Sequence, residues 1–431
     1  MKKYDIGIIG GGILGVCISY WISLLYDVRV CVLEKEPEVA MHASSRNTGV
    51  IHSPFYLNPS TKKIIARCSY LSQSMWSISA QKFNLPWNKI GTLEVALDEN
   101  QHRTLEKYLK WGIENGMSES NLTLLDSNEV LKKESNVSCY SALHCSTDVS
   151  VSYDIFTKTL YKLSSSLGTD FLLSSKITQI DTKNDTNIIS LDNDAEIQTN
   201  FLINCAGGNS LAIAKKLGLA TDYSDLHFRG EYWVAKSSYA DTVKTNIYSV
   251  ARNLEFPFLD PHWIKRVDGT TEIGPNAVPV SSPFAYGPFY NEVPEIIHKL
   301  GEILSGSSRK LLLNPQFLSM VSKEFKSSIS KKNMVQRIAQ FIPKIDPTWF
   351  EQHGTAGIRT PVISPNGKFV SGILEMSNDN SFHIINYNSP GATGAPVYSA
   401  IVVKNLQKMG YLDNLTTANN PDNVWNFESI D

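Results

Sequence analysis

The feature that most constrains this chain is a glycine-rich turn close to its start. Residues 10–15 read Gly-Gly-Gly-Ile-Leu-Gly, which fits the pattern Gly-x-Gly-x-x-Gly. Apolar segments lie at residues 4–9 and 16–22, so we predict a strand, a tight turn and a buried helix. A second strand, predicted at residues 28–33, ends at Glu34, about 20 residues beyond the turn. The complete βαβ unit predicts a dinucleotide-binding site.

Each residue type in this unit has a physical role. Gly10 permits the tight turn, Gly12 lets backbone N–H groups approach a pyrophosphate, and Gly15 lets the helix pack closely on the strand. The helix N-terminus favours an anion because its N–H groups are unpaired there. Glu34 can accept hydrogen bonds from ribose hydroxyls and disfavours a 2′-phosphate, so the ligand is FAD or NAD and not NADP.

Composition limits the class of protein. The chain has 431 residues, more than one hydrophobic core usually serves, so we expect two domains. Hydrophobic residues make up 42% and charged residues 19%, a globular balance. With 40 basic and 42 acidic residues there is no surplus charge to bind a phosphate backbone, and we expect no nucleic-acid partner.

Other patterns bear on location and metals. The six cysteines form no C-x-x-C pair, so we expect reduced thiols and a cytoplasmic protein. Glycines interrupt the apolar stretch at residues 6–25, which argues against a signal peptide or a membrane span. Peripheral contact with a membrane stays open. The histidines lack metal-site spacing, so we predict no metal.

The segment after Glu34 separates FAD from NAD. An NAD domain would usually continue into another crossover helix and strand, whereas residues 40–49 are rich in small polar residues. Hydroxyl and backbone N–H groups of such a segment can wrap a second part of the ligand. This favours FAD.

Several segments together resemble one family. Residues 47–56, 228–232, 274–278, 356–359 and 388–393 are similar, in that order, to the L-2-hydroxyglutarate dehydrogenase/oxidase family of D-amino-acid-oxidase-like flavoproteins. The resemblance runs to about residue 403. It implies an α/β fold with a Rossmann-like FAD-binding domain of the glutathione-reductase type and a second, mixed-sheet α+β substrate domain.

We predict a discontinuous arrangement of the two domains. Residues 1–85, 145–218 and 345–431 would form the FAD-binding domain, and residues 86–144 and 219–344 the substrate domain. Apolar periodicity predicts helices at residues 64–79, 104–114 and 155–167, a strand at residues 93–97, and a buried strand at residues 201–208 that ends in small residues.

Residues that hold FAD are predicted from two sources. The fingerprint predicts Gly10, Gly12, Ile13, Leu14, Gly15 and Glu34. The resemblance adds Lys35, Ser44, Ser45, Arg46, Asn47, Gly49, Val50, Ala206, Gly207, Gly357, Arg359, Pro390, Gly391, Ala392 and Thr393.

Oxidation of a hydroxy acid needs a base and a cation. His52 follows the flavin loop, and imidazole can accept a proton near neutral pH; its alternative role is to hold the loop. The resemblance puts Arg359 beside the flavin, where guanidinium can bind a carboxylate; its alternative is a structural salt bridge. Weaker candidates for the pocket are Arg229, His262, Tyr56 and Asn276.

The leading hypothesis is therefore an FAD-dependent enzyme for a small L-2-hydroxy acid. The resemblance implies L-2-hydroxyglutarate, oxidised to 2-oxoglutarate by hydride transfer to flavin N5. An amine or amino-acid oxidase, or a glycerol-3-phosphate dehydrogenase, is the alternative on the same fold. A non-catalytic flavin-binding protein is the alternative of another class. Oxygen, a quinone or a partner protein could each accept the electrons.

Overall fold

The computed structural model describes residues 1–251, 260–287, 293–413, 415–418, 420 and 423–430. Parts of the predicted domain ranges 219–344 and 345–431 therefore lie outside the described residues.

The described helices are α1 Ile13–Leu25, α2 Lys63–Phe83, α3 Glu99–Glu114, α4 Ser127–Lys133, α5 Tyr153–Ser166, α6 Ser210–Lys216, α7 Val293–Ser305, α8 Pro315–Ile329, α9 Lys331–Ile338 and α10 Gly391–Lys408. The described strands are β1 Lys2–Ile9, β2 Tyr26–Asp27, β3 Val30–Leu33, β4 Val50–Ile51, β5 Trp87–Asn88, β6 Thr92–Ala96, β7 Leu122–Asp126, β8 Ser141–Cys145, β9 Val149–Val151, β10 Asp170–Leu172, β11 Ile177–Lys183, β12 Thr186–Leu191, β13 Glu196–Asn204, β14 Ser224–Asp225, β15 His227–Gly230, β16 Trp233–Ala235, β17 Asn246–Ser249, β18 His262–Lys265, β19 Thr271–Gly274, β20 Val278–Val280, β21 Phe350–His353, β22 Gly357–Arg359, β23 Val362–Ile363, β24 Leu374–Asn378, β25 Ser381–Asn386 and β26 Thr416–Thr417.

The first large sheet forms the core of the nucleotide-binding domain. Its strands run in the order β10-β3-β1-β13-β12-β11, and β25 also pairs with β13. The central strands β3, β1, β13 and β25 are parallel. Their apolar residues are buried on both faces of the sheet. One core includes residues of α1, α5 and α10, and the other includes Ile213 of α6, so these strands need no strict polar alternation.

The second large sheet runs in the order β21-β16-β19-β18-β17-β6-β8-β7. On one face, Leu93, Ile247 and Trp263 pack against α4 and α9 in an apolar core. Side chains alternate along a strand, so Glu94, Tyr248 and His262 point to the opposite face. Strand register makes these last three direct neighbours across β6, β17 and β18.

This sheet takes its strands from separate ranges of the sequence. Strands β6–β8, from the range 86–144, pair with β16–β19, from the range 219–344. Strand β21 joins the same sheet, and β22 pairs with β15. The mixed α/β fold class is confirmed, while the domain bounds stay a prediction.

Two further findings concern the chain as a whole. All six cysteines lie among the described residues and none is in a disulfide. In the described part of the chain, no helix combines the length and the apolar character that crossing a membrane requires.

Candidate functional site

The glycine turn has the close backbone packing that the fingerprint predicts. Gly10 has φ +105°, and a Cβ atom there would lie 2.6 Å from the Cys205 carbonyl oxygen. A Cβ at Gly15 would lie 1.9 Å from the Gly10 carbonyl oxygen. Any larger residue at either position would have to shift the backbone, so the turn demands glycine for steric reasons.

The acid at the end of β3 is fixed by backbone groups. The buried Glu34 carboxylate accepts hydrogen bonds from the Gly11 N–H at 2.7 Å and the Glu36 N–H at 2.9 Å. At the start of α1, the Ile13 N–H donates to the Ser44 hydroxyl at 2.9 Å. The predicted ribose-binding acid and the predicted diphosphate loop therefore meet at the helix N-terminus, where an anion is favoured.

The loop that follows is held by its own polar side chains. The Asn47 amide donates to the carbonyls of Ala43 and Ser44 and accepts from the Gly49 N–H. The Arg46 carbonyl approaches Gly357 so closely that a Cβ there would lie 2.0 Å away. The loop thus lies directly on β22 and forms a cradle for a long ligand, and these residues fit FAD.

One cleft contains most of the predicted residues. Its volume of about 320 Å³ lies in the range of roughly 300–1,000 Å³ that is usual for ligand sites. The predicted residues in its wall are Gly10, Gly12, Ile13, Leu14, Glu34, Ser44, Arg46, Asn47, Val50, His52, Ala206, Gly207, Asn276, Gly357, Arg359, Pro390, Gly391, Ala392 and Thr393. Gly15, Lys35, Ser45, Gly49, Tyr56, Arg229 and His262 are not part of that wall.

An aromatic loop of the second domain covers the nucleotide end of this cleft. The Tyr286 ring stacks on His42 and lies 4.3 Å from the Arg46 guanidinium carbon. The Lys35 ammonium lies 3.7 Å from the centre of the Phe284 ring. Both aromatic residues line the cleft, so this loop would lie over the cofactor. Sequence reasoning missed it.

At the other end of the cleft, His52 is paired with a buried acid. His52 Nδ1 lies 3.2 Å from Asp148 Oδ2, and the Asp148 side chain is completely buried. Burial alone would raise the pKa of the Asp148 carboxyl, but hydrogen bonds from His52, Ser53 and Thr92 bring that pKa below its ordinary value. The acid is therefore an anion at neutral pH.

Aromatic and acidic side chains surround His52. Its ring is edge-on to Tyr56 and to Tyr248, and Tyr248 stacks on His262. Burial lowers the pKa of His262 to about 3, so this imidazole is neutral. Burial and the charge of Asp148 raise the pKa of Glu94 to about 8, so this carboxyl is protonated at neutral pH.

Arg359 ends β22 and lines the cleft. Its charge acts on Tyr56, Tyr232 and His262, opposing the rise that burial causes in the pKa of both tyrosines. Arg359 and His52 both line this cleft. A carboxylate on Arg359 and a hydroxyl at His52 are the groups that this cleft can take.

Two weaker candidates have structural partners. The Arg229 guanidinium donates to the Glu231 carboxylate and to the carbonyls of Ala285 and Gly287. The Asn276 amide bonds the Glu231 N–H and carboxylate. Their direct contact with a substrate stays a prediction.

The sequence contained weak signals for the residues that were missed. Asp148 is an isolated acid just before the apolar strand β9, and Glu94 is an acid within the predicted strand at residues 93–97. An acid in an apolar strand needs a partner or a function.

The described residues contain no cluster of three metal ligands.

A Rossmann-type glycine turn, a carboxylate fixed beside it, and a cleft lined by His52 and Arg359 are the features expected of an FAD-dependent oxidoreductase. Residues 5–404 match the family described as FAD dependent oxidoreductase, or DAO. Since this match spans most of the sequence, the chain belongs to that family. The predicted cofactor, FAD, is thereby confirmed.

Curated relatives are similar along nearly the whole chain. L-2-hydroxyglutarate dehydrogenase from Escherichia coli (strain K12) is 26% identical over 407 residues, covering 94% of both sequences. The enzyme of that name from Indibacter alkaliphilus is 29% identical and covers 91% of this chain and 96% of its own length. The mitochondrial L-2-hydroxyglutarate dehydrogenase from Homo sapiens is 27% identical, with 94% and 89% covered.

Solved structures show the same fold. L-alpha-glycerophosphate oxidase from Mycoplasma pneumoniae, with FAD bound, superposes with a TM-score of 0.76 at 21% identity and 97% coverage of both chains. Glycine oxidase from Geobacillus kaustophilus gives a TM-score of 0.68 at 15% identity and 95% coverage of both. At identities this low, the superpositions establish the fold only, and the substrate has to be inferred from the residues of the site.

Proposed function

We propose that this enzyme oxidises L-2-hydroxyglutarate to 2-oxoglutarate. The observation that carries the proposal is that His52, paired with Asp148, lines the same cleft as Arg359 and the dinucleotide turn. A base and a carboxylate-binding cation are what a hydroxy acid requires. The shared name of the three curated relatives supports this substrate.

Each residue has a defined task in this proposal. His52 accepts the hydroxyl proton, and Arg359 holds the adjacent carboxylate so that C2 faces the flavin. Bound FAD supplies the acceptor for the C2 hydride, and the carbinol becomes a ketone. Tyr56 and Tyr248, whose rings lie edge-on to His52, would limit the access of water to the reacting carbon. Arg229, His262, Tyr56 and Asn276 stay our candidates for contact with the second carboxylate.

The alternatives differ in what they ask of the cleft. A phosphate substrate would need more cationic charge, yet Lys265 bonds Asp241 and Arg266 bonds Glu272. An amine would not need a base for a hydroxyl proton. A flavin protein without catalysis would not need a histidine paired with a buried carboxylate. The contacts therefore favour the hydroxy acid.

The test is anaerobic reduction of the bound flavin. L-2-hydroxyglutarate should bleach the absorption near roughly 450 nm, a property of the cofactor itself, whereas the D-enantiomer should not. The His52→Gln variant should bind FAD equally and lose about 10²–10⁴-fold in reduction rate, the usual contribution of a general base. Bleaching by an amino acid or by glycerol 3-phosphate instead would overturn the proposal.

Acceptor and location belong to separate proposals. A dye-coupled assay measures substrate oxidation whether oxygen, a quinone or a partner protein takes the electrons in the cell.

We propose the cytoplasm as location, supported by six unpaired cysteines. Peripheral membrane contact stays a prediction for which exposed Ile297, Leu300 and Leu304 on α7 are the candidate surface.

A further inference from the structure

Asp148 has an unusual setting for a charged residue. Its side chain is completely buried, and among the described residues His52 is the one cationic side chain within ion-pair distance. Oδ2 accepts from His52 Nδ1 at 3.2 Å and from the Thr92 hydroxyl at 2.8 Å, and Oδ1 accepts from the Ser53 N–H at 2.7 Å and the Cys145 thiol at 3.4 Å. Burying a charge is costly, so this setting calls for an explanation.

The contacts fix more than the charge. Thr92, Ser53 and Cys145 bond the carboxylate from β6, from the segment after β4 and from the end of β8, so it cannot rotate away from His52. A carboxylate can only accept here, so His52 Nδ1 must carry the hydrogen. In the neutral imidazole the other nitrogen, Nε2, then has the free lone pair that a base requires.

We infer that Asp148 is a positioning residue for the oxidation proposed above. It holds His52 in the Nδ1–H tautomer and stabilises the imidazolium that forms when Nε2 takes the hydroxyl proton. The O–H bond of the substrate breaks toward Nε2, the C2–H pair leaves as hydride to FAD, and the C=O bond forms. Asp148 itself gains no proton. The inference rests on the proposed function only for the identity of the hydroxyl.

A second histidine–carboxylate pair in the cleft shows the contrast. His42 Nε2 lies 2.8 Å from Glu36, but Glu36 also bonds Lys35 and its side chain is 24% exposed, whereas Asp148 is 0% exposed. Lys35 and solvent reduce the hold of Glu36 on its histidine. Of these two pairs, the buried one is therefore the pair in which the carboxylate, Asp148, has a histidine as its one ionic partner among the residues that the structure describes.

The test compares Asp148→Asn with Thr92→Val in the FAD-loaded enzyme. The amide introduced by Asp148→Asn can donate to His52 Nδ1, which would move the hydrogen to Nε2 and remove the base. We expect this variant to keep its FAD and its substrate affinity but to lose about 10²–10⁴-fold in flavin reduction rate. Thr92→Val removes a hydrogen bond to the same oxygen without touching His52, and should cost less than about tenfold.

A spectroscopic readout makes the inference independent of the substrate. In histidine-labelled enzyme, a long-range ¹H–¹⁵N spectrum reports the tautomer, and loss of signals in His52→Gln identifies His52. We expect Nδ1–H in the wild type and in Thr92→Val, and its loss in Asp148→Asn. A wild-type Nε2–H tautomer would overturn the inference, and so would an Asp148→Asn enzyme with unchanged tautomer and a rate within tenfold. If L-2-hydroxyglutarate bleaches nothing, the proposed function fails, while the wild-type tautomer still decides the role of Asp148.

Discussion

At the residue scale, the proposed chemistry depends on Arg359 as much as on His52. A guanidinium binds a carboxylate through two parallel hydrogen bonds, and lysine keeps the charge but not the fork. We therefore expect Arg359→Lys to raise KM for L-2-hydroxyglutarate by about ten- to a hundredfold, the effect of one charge-assisted hydrogen bond. Steady-state kinetics with a dye acceptor measure this.

The same variant has an internal control. Arg359 also lies beside the cofactor cradle, so FAD content should be measured from the absorption of each preparation. An unchanged KM with full FAD content would show that Arg359 does not hold the substrate.

Residue chemistry was only partly readable in the sequence. His52 and Arg359 were predicted because they follow recognisable flavin-binding segments. Asp148 lies 96 residues from His52 in a short polar stretch, and nothing local pairs the two. Only the folded arrangement, with β4 beside β9, brings them together. A long-range polar pair of this kind is set by topology and not by periodicity.

At the scale of elements, the glycine turn offers a sharp test. Gly10 and Gly218 both have positive φ, but a Cβ at Gly10 would lie 2.6 Å from a carbonyl oxygen, whereas one at Gly218 meets nothing within 4 Å. Gly218→Ala should cost only the left-handed backbone conformation, about 1–2 kcal/mol. Gly10→Ala should cost more and also lose FAD.

Thermal unfolding and the FAD content of the purified variants distinguish the two outcomes. If Gly10→Ala retains full FAD and has the same melting temperature as Gly218→Ala, glycine is not required at position 10.

The carboxyl group of Glu94 on β6 makes the free energy of unfolding depend on pH. The pKa of Glu94 in the folded protein is about 8, above the value of about 4.3 expected in an unfolded chain. The folded state therefore binds this proton more tightly, and wild-type stability falls as pH rises through that window. Glu94→Gln stays neutral, so it should melt a few degrees higher than wild type at pH 9 and show a smaller difference at pH 5.

Exposed Glu114 on α3 provides the control, because Glu114→Gln removes the same charge from the surface. Its melting difference from wild type should not grow between pH 5 and pH 9. If the melting differences of Glu94→Gln and Glu114→Gln change with pH in the same way, the raised pKa of Glu94 is wrong.

Two helices, α2 and α3, are longer than the apolar periodicity of the sequence predicted. The helix predicted at residues 104–114 begins at Glu99, because the Asp98 side chain caps it by accepting from the Gln101 N–H. Apolar periodicity starts only at Leu105 and so missed the first polar turn. The helix predicted at residues 64–79 extends to Phe83 before Asn84 ends it in a left-handed conformation.

Across the whole molecule, the cleft is lined by residues that lie far apart in the sequence, from Gly10 to Thr393. Strands from residues 86–144 and 219–344 share one sheet, and two other long-range features did not show in the sequence. Trp425, near the C-terminus, packs on Trp21 and Trp76 and donates to the Met75 carbonyl. Tyr286 reaches across to His42 and Arg46. Neither contact follows from local periodicity.

This bridging arrangement predicts how FAD stabilises the molecule. A ligand at 100 times its Kd adds about 2.7 kcal/mol to the folded state, so FAD should raise the melting temperature of the apoprotein. Tyr286→Ala removes the aromatic face beneath Arg46, a contact worth about 0.5–2 kcal/mol. We expect a weaker Kd for FAD and a smaller melting shift at the same FAD concentration.

Tyr239→Ala is the matched control, because Tyr239 stacks on Trp349 and is not part of the cleft wall. It should lower stability without changing the Kd for FAD, measured by quenching of flavin fluorescence during titration of the apoprotein. If both variants bind FAD like the wild type, the aromatic loop only packs against the nucleotide-binding loop, and retention of the cofactor depends on the nucleotide-binding domain alone.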